Sequence, residues 1–203
     1  QPDSRARYDE LLHRCTLLAV SQAVRAPLVE AFPHHAERIG IIGNAVAFGP
    51  VRPEPVAELR RWMYAGGLTA NKGVTWLVEA FARCREKDPE LTLTIVGDGA
   101  LAGDLRTRAE ELGLAGAVTF TGAVPHERAL RLMNEHDLLV HPSRAETFGM
   151  TVVEAVAAGT PVLVTRCGGP EETLAGIDRA AGELVDVEEG SDAIVDGYWR
   201  LRE

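Results

Sequence analysis

The chain has 203 residues, 46% hydrophobic and 25% charged, an ordinary balance for a globular protein with room for one α/β domain and part of another. Thirty acids against 21 bases give a formal net charge of −9 with no basic cluster, which argues against a nucleic-acid footprint. No apolar run is long enough to span a bilayer, and the three scattered cysteines, Cys15, Cys84 and Cys167, read as small core residues of a protein in a reducing cytoplasm rather than as a disulfide or zinc framework.

Residues 1–14 read as a helix with Tyr8, Leu11 and Leu12 on one face. A strand over 17–20 ends at Ser21, a helix follows from Gln22 until Pro33 stops it, and 40–42 is a second short strand. His34 and His35 are adjacent, so they cannot share a helix face as paired ligands usually do; they read as surface loop residues. Gly49 to Pro55 holds three prolines in seven residues, a linker signature. Two strands are too few for a domain with its own core. The expected organisation is therefore 1–48 as the tail of an incomplete N-terminal domain, 49–57 as linker, and 58–203 as an α/β domain.

After the linker the pattern is regular. A strand over 62–65 runs into a glycine-rich loop, Gly66 to Gly73, and then a helix over 74–87 burying Leu77, Val78, Phe81 and Ala82. Strand 91–96 turns at Gly97-Asp98-Gly99 into a helix carrying Leu101, Leu105, Ala109 and Leu112. Strand 118–120 turns at Gly122 to Pro125 into a helix with Leu130, Leu132 and Met133. Strand 138–140 leads through a loop holding Glu146 to a helix opened by Gly149 and closed by Gly159, with Val152, Val153, Val156 and Ala157 as its apolar face. Strand 162–165, a short helix after Gly168-Gly169, a strand over 183–185 and a helix over 193–201 complete the chain. Strands alternating with helices at this spacing predict right-handed βαβ units and a Rossmann-like, doubly wound parallel sheet. Ligands bind such sheets outside the carboxyl ends of the strands.

The chemistry gathers around one helix start. Glu146 precedes Gly149, and Glu154 follows it by five residues, about 7.5 Å along a helix axis. The first amides of that helix, on Gly149, Met150 and Thr151, offer an anion site through free donors and the helix dipole. One pocket could thus hold an anion between two groups of hydroxyls, the layout of a nucleoside diphosphate joined to a sugar; acids that merely complement the dipole are the plainer alternative. The loop Gly66-Gly67 to Lys72-Gly73 lets backbone approach a diphosphate and adds a point charge, unless it is an ordinary turn. Gly97-Asp98-Gly99 with Ala102 is a weak dinucleotide fingerprint, because Thr121 and Gly122 stand where an acid should hold a ribose. No nucleophilic triad is arranged, Ser143 could orient phosphate or simply make a turn, and His126, His136 and His141 lack metal-ligand spacing. His141 reads as structural, and no metal ligands are expected.

Together these residues resemble the donor-binding C-terminal domain of the family 4 (group 1) glycosyltransferases, which have the GT-B fold. The resemblance is carried by Tyr64-Ala65-Gly66-Gly67-Leu68 with Lys72-Gly73, Ile95 to Gly99, Val118 to Val124, Pro142-Ser143, and Gly168-Gly169 with Glu172. Its most specific feature is Glu146 and Glu154 with seven residues between them, Phe148-Gly149 among these. Residues 15–46 resemble the end of that family's N-terminal domain. The resemblance implies a retaining transferase that moves a sugar from a nucleotide-diphosphate sugar, UDP- or GDP-linked, to an acceptor hydroxyl, with no metal or other cofactor. It implies Glu146 as the catalytic group at the donor sugar and Glu154 on the ribose. Lys72, Gly66, Gly67 and the amides of Gly149, Met150 and Thr151 would meet the diphosphate, with Phe148 in the same set and the backbone near Val124 at the base. Many members carry Arg where this chain has Gly67, and Arg144 is expected to compensate. The implied partners are a nucleotide sugar, an acceptor that is a glycan, lipid or small molecule, and the protein's own absent N-terminal domain, with no nucleic acid. The implied location is cytoplasmic, with attachment at a membrane surface through the absent domain left open. With most of the acceptor domain absent, the chain is expected to bind donor but transfer little alone; a non-enzymatic nucleotide-sugar-binding module is the alternative.

Overall fold

The computed structural model describes residues 3–46, 48–176 and 178–203. Its first part is α1 (Asp3–Arg14), β1 (Leu17–Ala19), α2 (Gln22–Ala31), a 3-10 turn (Pro33–Arg38) and β2 (Ile39–Ile41). β1 and β2 pair in parallel in a two-stranded sheet of their own. Ser21 caps α2 by accepting from Val24 N, as a β-region Ser before a helix does.

The rest alternates strand and helix. β3 (Arg61–Ala65), α3 (Val74–Lys87), β4 (Thr92–Val96), α4 (Ala102–Glu111), β5 (Val118–Gly122) and α5 (His126–Glu135) form one half. β6 (Leu138–His141), α6 (Met150–Ala157), β7 (Val162–Thr165), α7 (Gly169–Thr173), β8 (Gly182–Val185) and α8 (Ser191–Arg202) form the other. The six strands make one parallel sheet in the order β5-β4-β3-β6-β7-β8. The chain therefore winds outward from β3 to one edge, returns to the centre at β6, and winds outward to the other edge. β3 and β6 are neighbours, with Trp62 opposite Leu138, and the helices that follow them, α3 and α6, pack on opposite faces of the sheet. That point of reversal is where such a sheet opens a crevice.

Period-two alternation along β3 builds both cores. Trp62 and Tyr64 face α3 and α8, while Met63 and Ala65 face α5 and α6. Trp62 meets Phe81 and Tyr198 edge-on, with ring centroids 5.5 and 4.6 Å apart; such pairs add about 0.5–1.5 kcal/mol each beyond area burial.

Four expectations need correction. Among the described residues of α1 only Leu12 is buried; Leu11 and Tyr8 are about half exposed. On α6 the residues facing the sheet are Val152 and Ala155, continued by Ala158, and Val153, Val156 and Ala157 stay partly exposed. The small side chains at 155 and 158 let the helix lie close to the sheet, so the spacing of three wins over the wider apolar stripe. Cys84 and Cys167 are buried thiols, pushed up to about 12 and about 11 chiefly by burial, but Cys15 is exposed. His35 is not a surface residue: the 3-10 turn rotates it inward, leaving 5% of it exposed.

Candidate functional site

The loop after β3 is braced from beneath. The Tyr64 hydroxyl donates to Gly67 O at 2.8 Å, and the ring is wholly buried; burial, then the nearby Glu146 carboxylate, push its phenol well above the ordinary range. The glycines here serve mainly the chain's own crossings. A Cβ on Gly73 would stand 1.9 Å from Pro142 O, and one on Gly97 1.9 Å from Gly66 O. Gly67 differs: a Cβ there meets nothing within 4 Å.

This loop is zipped to the loop after β6. Arg144 N donates to Asn71 O at 2.7 Å, and Asn71 Nδ2 donates to Ala145 O at 3.0 Å. Next along, Lys72 Nζ donates to Glu146 Oε2 at 2.5 Å. The Glu146 backbone is fixed from the other side, with its N–H donating to Cys167 O and its carbonyl accepting from Gly169 N, both at 2.8 Å. His141, the last residue of β6, lies below: its Nε2 is 3.4 Å from Glu146 Oε2, without hydrogen-bond alignment, and its Nδ1 is 3.3 Å from Thr151 Oγ1. The His141 imidazole and then Lys72 outweigh burial and hold the Glu146 carboxyl down to about 2. Glu146 is thus an anion at neutral pH, enclosed by cationic and hydrogen-bonding partners.

Gly149 opens α6 in the left-handed region, φ 85°, with no side-chain cap. The first donor used within the helix is Val152 N, to Gly149 O, so the amides of Gly149, Met150 and Thr151 precede the helical ladder. Thr151 faces His141, and Glu154, one turn on, shares its side of the helix. Glu154 is 4% exposed, and His126 Nε2 lies 2.8 Å from its Oε1. His126 begins α5, two residues after Val124, which packs against the α5–α6 core. A continuous line therefore runs along the carboxyl edge: Lys72, Glu146, His141, Thr151, then Glu154, His126 and the Val124 loop. Glu146 thus lies in the loop before α6, and Glu154 within α6 one turn past Thr151. Phe148 is half-buried on the same loop, where a Cβ on Gly169 would come within 2.4 Å of its backbone. The Arg144 guanidinium stacks on Trp76, 4.3 Å from the ring centroid; it borders the site but rests on α3.

The N-terminal segment touches this edge. The Ser21 hydroxyl donates to Thr147 O at 2.5 Å, and Gln22 N donates to Glu172 Oε2 at 2.6 Å. The start of α2 is thereby tied to the Glu146 loop and to α7.

The profile of the family described as glycosyl transferases group 1 matches residues 55–200. The chain belongs to the group 1 glycosyl transferases. It is 33% identical over 165 residues to a glycogen synthase of Mycobacterium tuberculosis, covering 78% of this chain and 39% of that protein. It is 30% identical over 210 residues to a D-inositol 3-phosphate glycosyltransferase of an Arthrobacter species, covering 95% of this chain and 49% of that one. Among solved structures it is similar to Anabaena HepE in complex with UDP and glucose, with a TM-score of 0.80 and 26% identity, over 100% of this chain and 59% of that one. The chain thus spans half or less of the length of these two curated relatives. Its parallel sheet matches the GT-B architecture of the transferase neighbours.

Three side chains at this edge make contacts that sequence reasoning does not assign to them. His141 is buried as a structural residue would be, and it lies between Glu146, 3.4 Å from its Nε2, and Thr151, 3.3 Å from its Nδ1. His126 covers Glu154, and Tyr64 anchors the glycine loop. The available signals were positional: Tyr64 and His141 sit at or near the carboxyl ends of the two central strands, and His126 opens a helix at the same edge.

Proposed function

We propose that this chain is the donor-binding part of a retaining, metal-independent glycosyltransferase that moves a sugar from a UDP- or GDP-linked donor to an acceptor hydroxyl. In this reading residues 1–48 belong to the acceptor-side domain, 49–57 link, and 58–203 bind donor. The observation that carries it is the Lys72–Glu146 pair beside the uncapped start of α6, at the point where the strand order reverses. The HepE complex with UDP and glucose supports a nucleotide-sugar partner. Lys72 and the amides of Gly149, Met150 and Thr151 would take the charge that develops on the departing diphosphate. Glu146, kept ionised, would accept from the donor sugar's hydroxyls, and Glu154 from the ribose diol, with His126 moving aside or sharing the carboxylate. A thermal-shift panel of UDP-, GDP- and ADP-sugars tests the reading, since a ligand bound only by the native state raises Tm. Selective stabilisation by one nucleotide is expected, with little transfer to any acceptor; no stabilisation by any of them would refute donor binding, and robust turnover would refute the dependence on an absent domain.

The open space at Gly67 gives a sharper expectation. Its φ is outside the left-handed region and nothing blocks a side chain there. Gly67→Arg is therefore expected to tighten UDP about tenfold, the worth of one charge-assisted contact. If Arg144 serves as the substitute base, Arg144→Ala weakens UDP in the parent chain but loses most of that effect beside Gly67→Arg. Calorimetric titration of the four proteins checks this coupling.

A further inference from the structure

A second cluster of chemically active side chains lies far from the donor edge, where α1 crosses the turn after α2. Asp9 and His13 stand four residues apart on α1, so they share a face. The 3-10 turn places His34 and His35 opposite them. His34 Nε2 lies 2.7 Å and His35 Nε2 3.1 Å from the same oxygen, Asp9 Oδ1. His13 Nε2 is 3.9 Å from the other oxygen, Oδ2, and its ring meets the His35 ring edge-on at 4.5 Å. The ligand atoms of Asp9, His34 and His35 all lie within 4.8 Å of one another.

We propose that Asp9, His34 and His35, with His13 within one side-chain rotation of them, form a binding site for a divalent transition-metal ion of the zinc type. Zinc bonds of about 2.0–2.2 Å to nitrogen and oxygen, arranged tetrahedrally, separate the ligand atoms by a little over 3 Å. The two histidine nitrogens stand 2.7 and 3.1 Å from Asp9 Oδ1, somewhat closer than that, so an ion enters only if these contacts open by roughly half an ångström. The donor set also selects the ion. Three imidazoles and one carboxylate suit zinc, cobalt, nickel or copper, whereas magnesium and calcium require mostly oxygen. His35 is held by burial, so one ligand is fixed in place; His34, His13 and Asp9 are exposed enough for an ion to enter. A bound ion would join α1 to the turn after α2. Among the described residues, other contacts of α1 include Leu12 in a small apolar cluster, Tyr8 against Phe32, and Arg5 donating to Ala31 O at 2.8 Å. The site is independent of the donor-binding reading and supplies nothing to the transfer reaction.

The test is titration of the untagged, chelator-treated chain with Co²⁺ and then Zn²⁺. One equivalent of Co²⁺ is expected to give the visible absorption of a tetrahedral nitrogen–oxygen site, and Zn²⁺ to bleach it. Zn²⁺ at a hundredfold excess over its Kd is expected to raise Tm by about 5–10 °C, with no shift from Mg²⁺ or Ca²⁺. His34→Ala, at an exposed position, and Asp9→Asn, at a half-buried one, are each expected to abolish the absorption and the shift while leaving the circular dichroism of the metal-free chain unchanged. Absence of stoichiometric Co²⁺ uptake by the parent chain would overturn the proposal. So would uptake that survives both substitutions, which would place the metal at other histidines.

Discussion

Lys72→Met is expected to weaken UDP or GDP binding by about ten- to a hundredfold, the loss of one hydrogen bond to a charged group, about 1.5–3 kcal/mol. The parent geometry makes this more than a deleted charge. Lys72 Nζ now rests on Glu146 Oε2, so a diphosphate must draw the ammonium partly away from a carboxylate. Glu146 keeps a second partner in His141 when that happens, and the line from Lys72 to Thr151 can give up one contact without stranding a buried anion. Glu146→Gln separates the roles. It should leave affinity for free UDP within about threefold, because the lysine is then unopposed. It should also erase any preference for the sugar-bearing nucleotide over UDP. Isothermal titration of both variants with UDP and with UDP-sugar decides this; equal losses for both ligands in both variants would assign Glu146 to the diphosphate instead.

The same pair has a stability consequence with a defined sign. Glu146 is depressed from an ordinary 4.5 to about 2, by the His141 imidazole first and Lys72 after it. A depressed carboxylate contributes stability that is complete above the ordinary value and is lost as pH falls toward the folded one. Part of the acid unfolding between pH 4.5 and about 2 is therefore protonation of Glu146. In Lys72→Met the folded value moves back toward the ordinary one, so the variant loses less additional stability across that window.

The architecture was legible because periodicity changes sharply at each boundary. Leu138 to His141 is buried on both faces of a central strand, so it reads as a continuous apolar run. Leu77, Val78 and Phe81 recur at helical spacing on one face of α3. Glu146 and Glu154 were legible because a fixed number of residues across one helix start fixes their geometry. Tertiary pairings were not. The contact of His126 with Glu154 joins residues 28 apart, and that of Lys72 with Glu146 residues 74 apart. No periodicity spans such distances; the strand order creates them. His35 failed for a different reason. Helical spacing excluded it as a ligand partner of His34, but a 3-10 turn advances about 120° per residue, and long imidazole arms from successive positions still converge on Asp9.

The glycines differ in what surrounds them, and a graded series of alanine substitutions separates what they do. At Gly67 neither the backbone nor the surroundings demand glycine, so Gly67→Ala is expected to change stability by no more than about 0.5 kcal/mol, with entropy lost from the unfolded chain favouring the variant. At Gly113 φ is 69° but nothing lies within 4 Å of a Cβ; alanine there meets only left-handed strain, about 1 kcal/mol. At Gly73 φ is 62° and a Cβ would sit 1.9 Å from Pro142 O and 3.1 Å from the Trp76 ring. A backbone carbonyl cannot rotate away as a side chain would. Gly73→Ala must move the chain that leads into Ser143 and Glu146, or move the start of α3 together with Lys72, which immediately precedes Gly73. The expected cost is about 2–4 kcal/mol, or about 5–15 °C in Tm. Because the two loops bear the opposed charges of the site, UDP affinity should fall as well, even though Gly73 offers no side chain to a ligand. Urea unfolding of the three variants, followed by UDP titration of those that fold, reads both effects. If Gly73→Ala costs no more than Gly113→Ala, the loop after β6 yields freely, and the distance between Lys72 and Glu146 is set by their ion pair rather than by the crossing of the backbone beneath it.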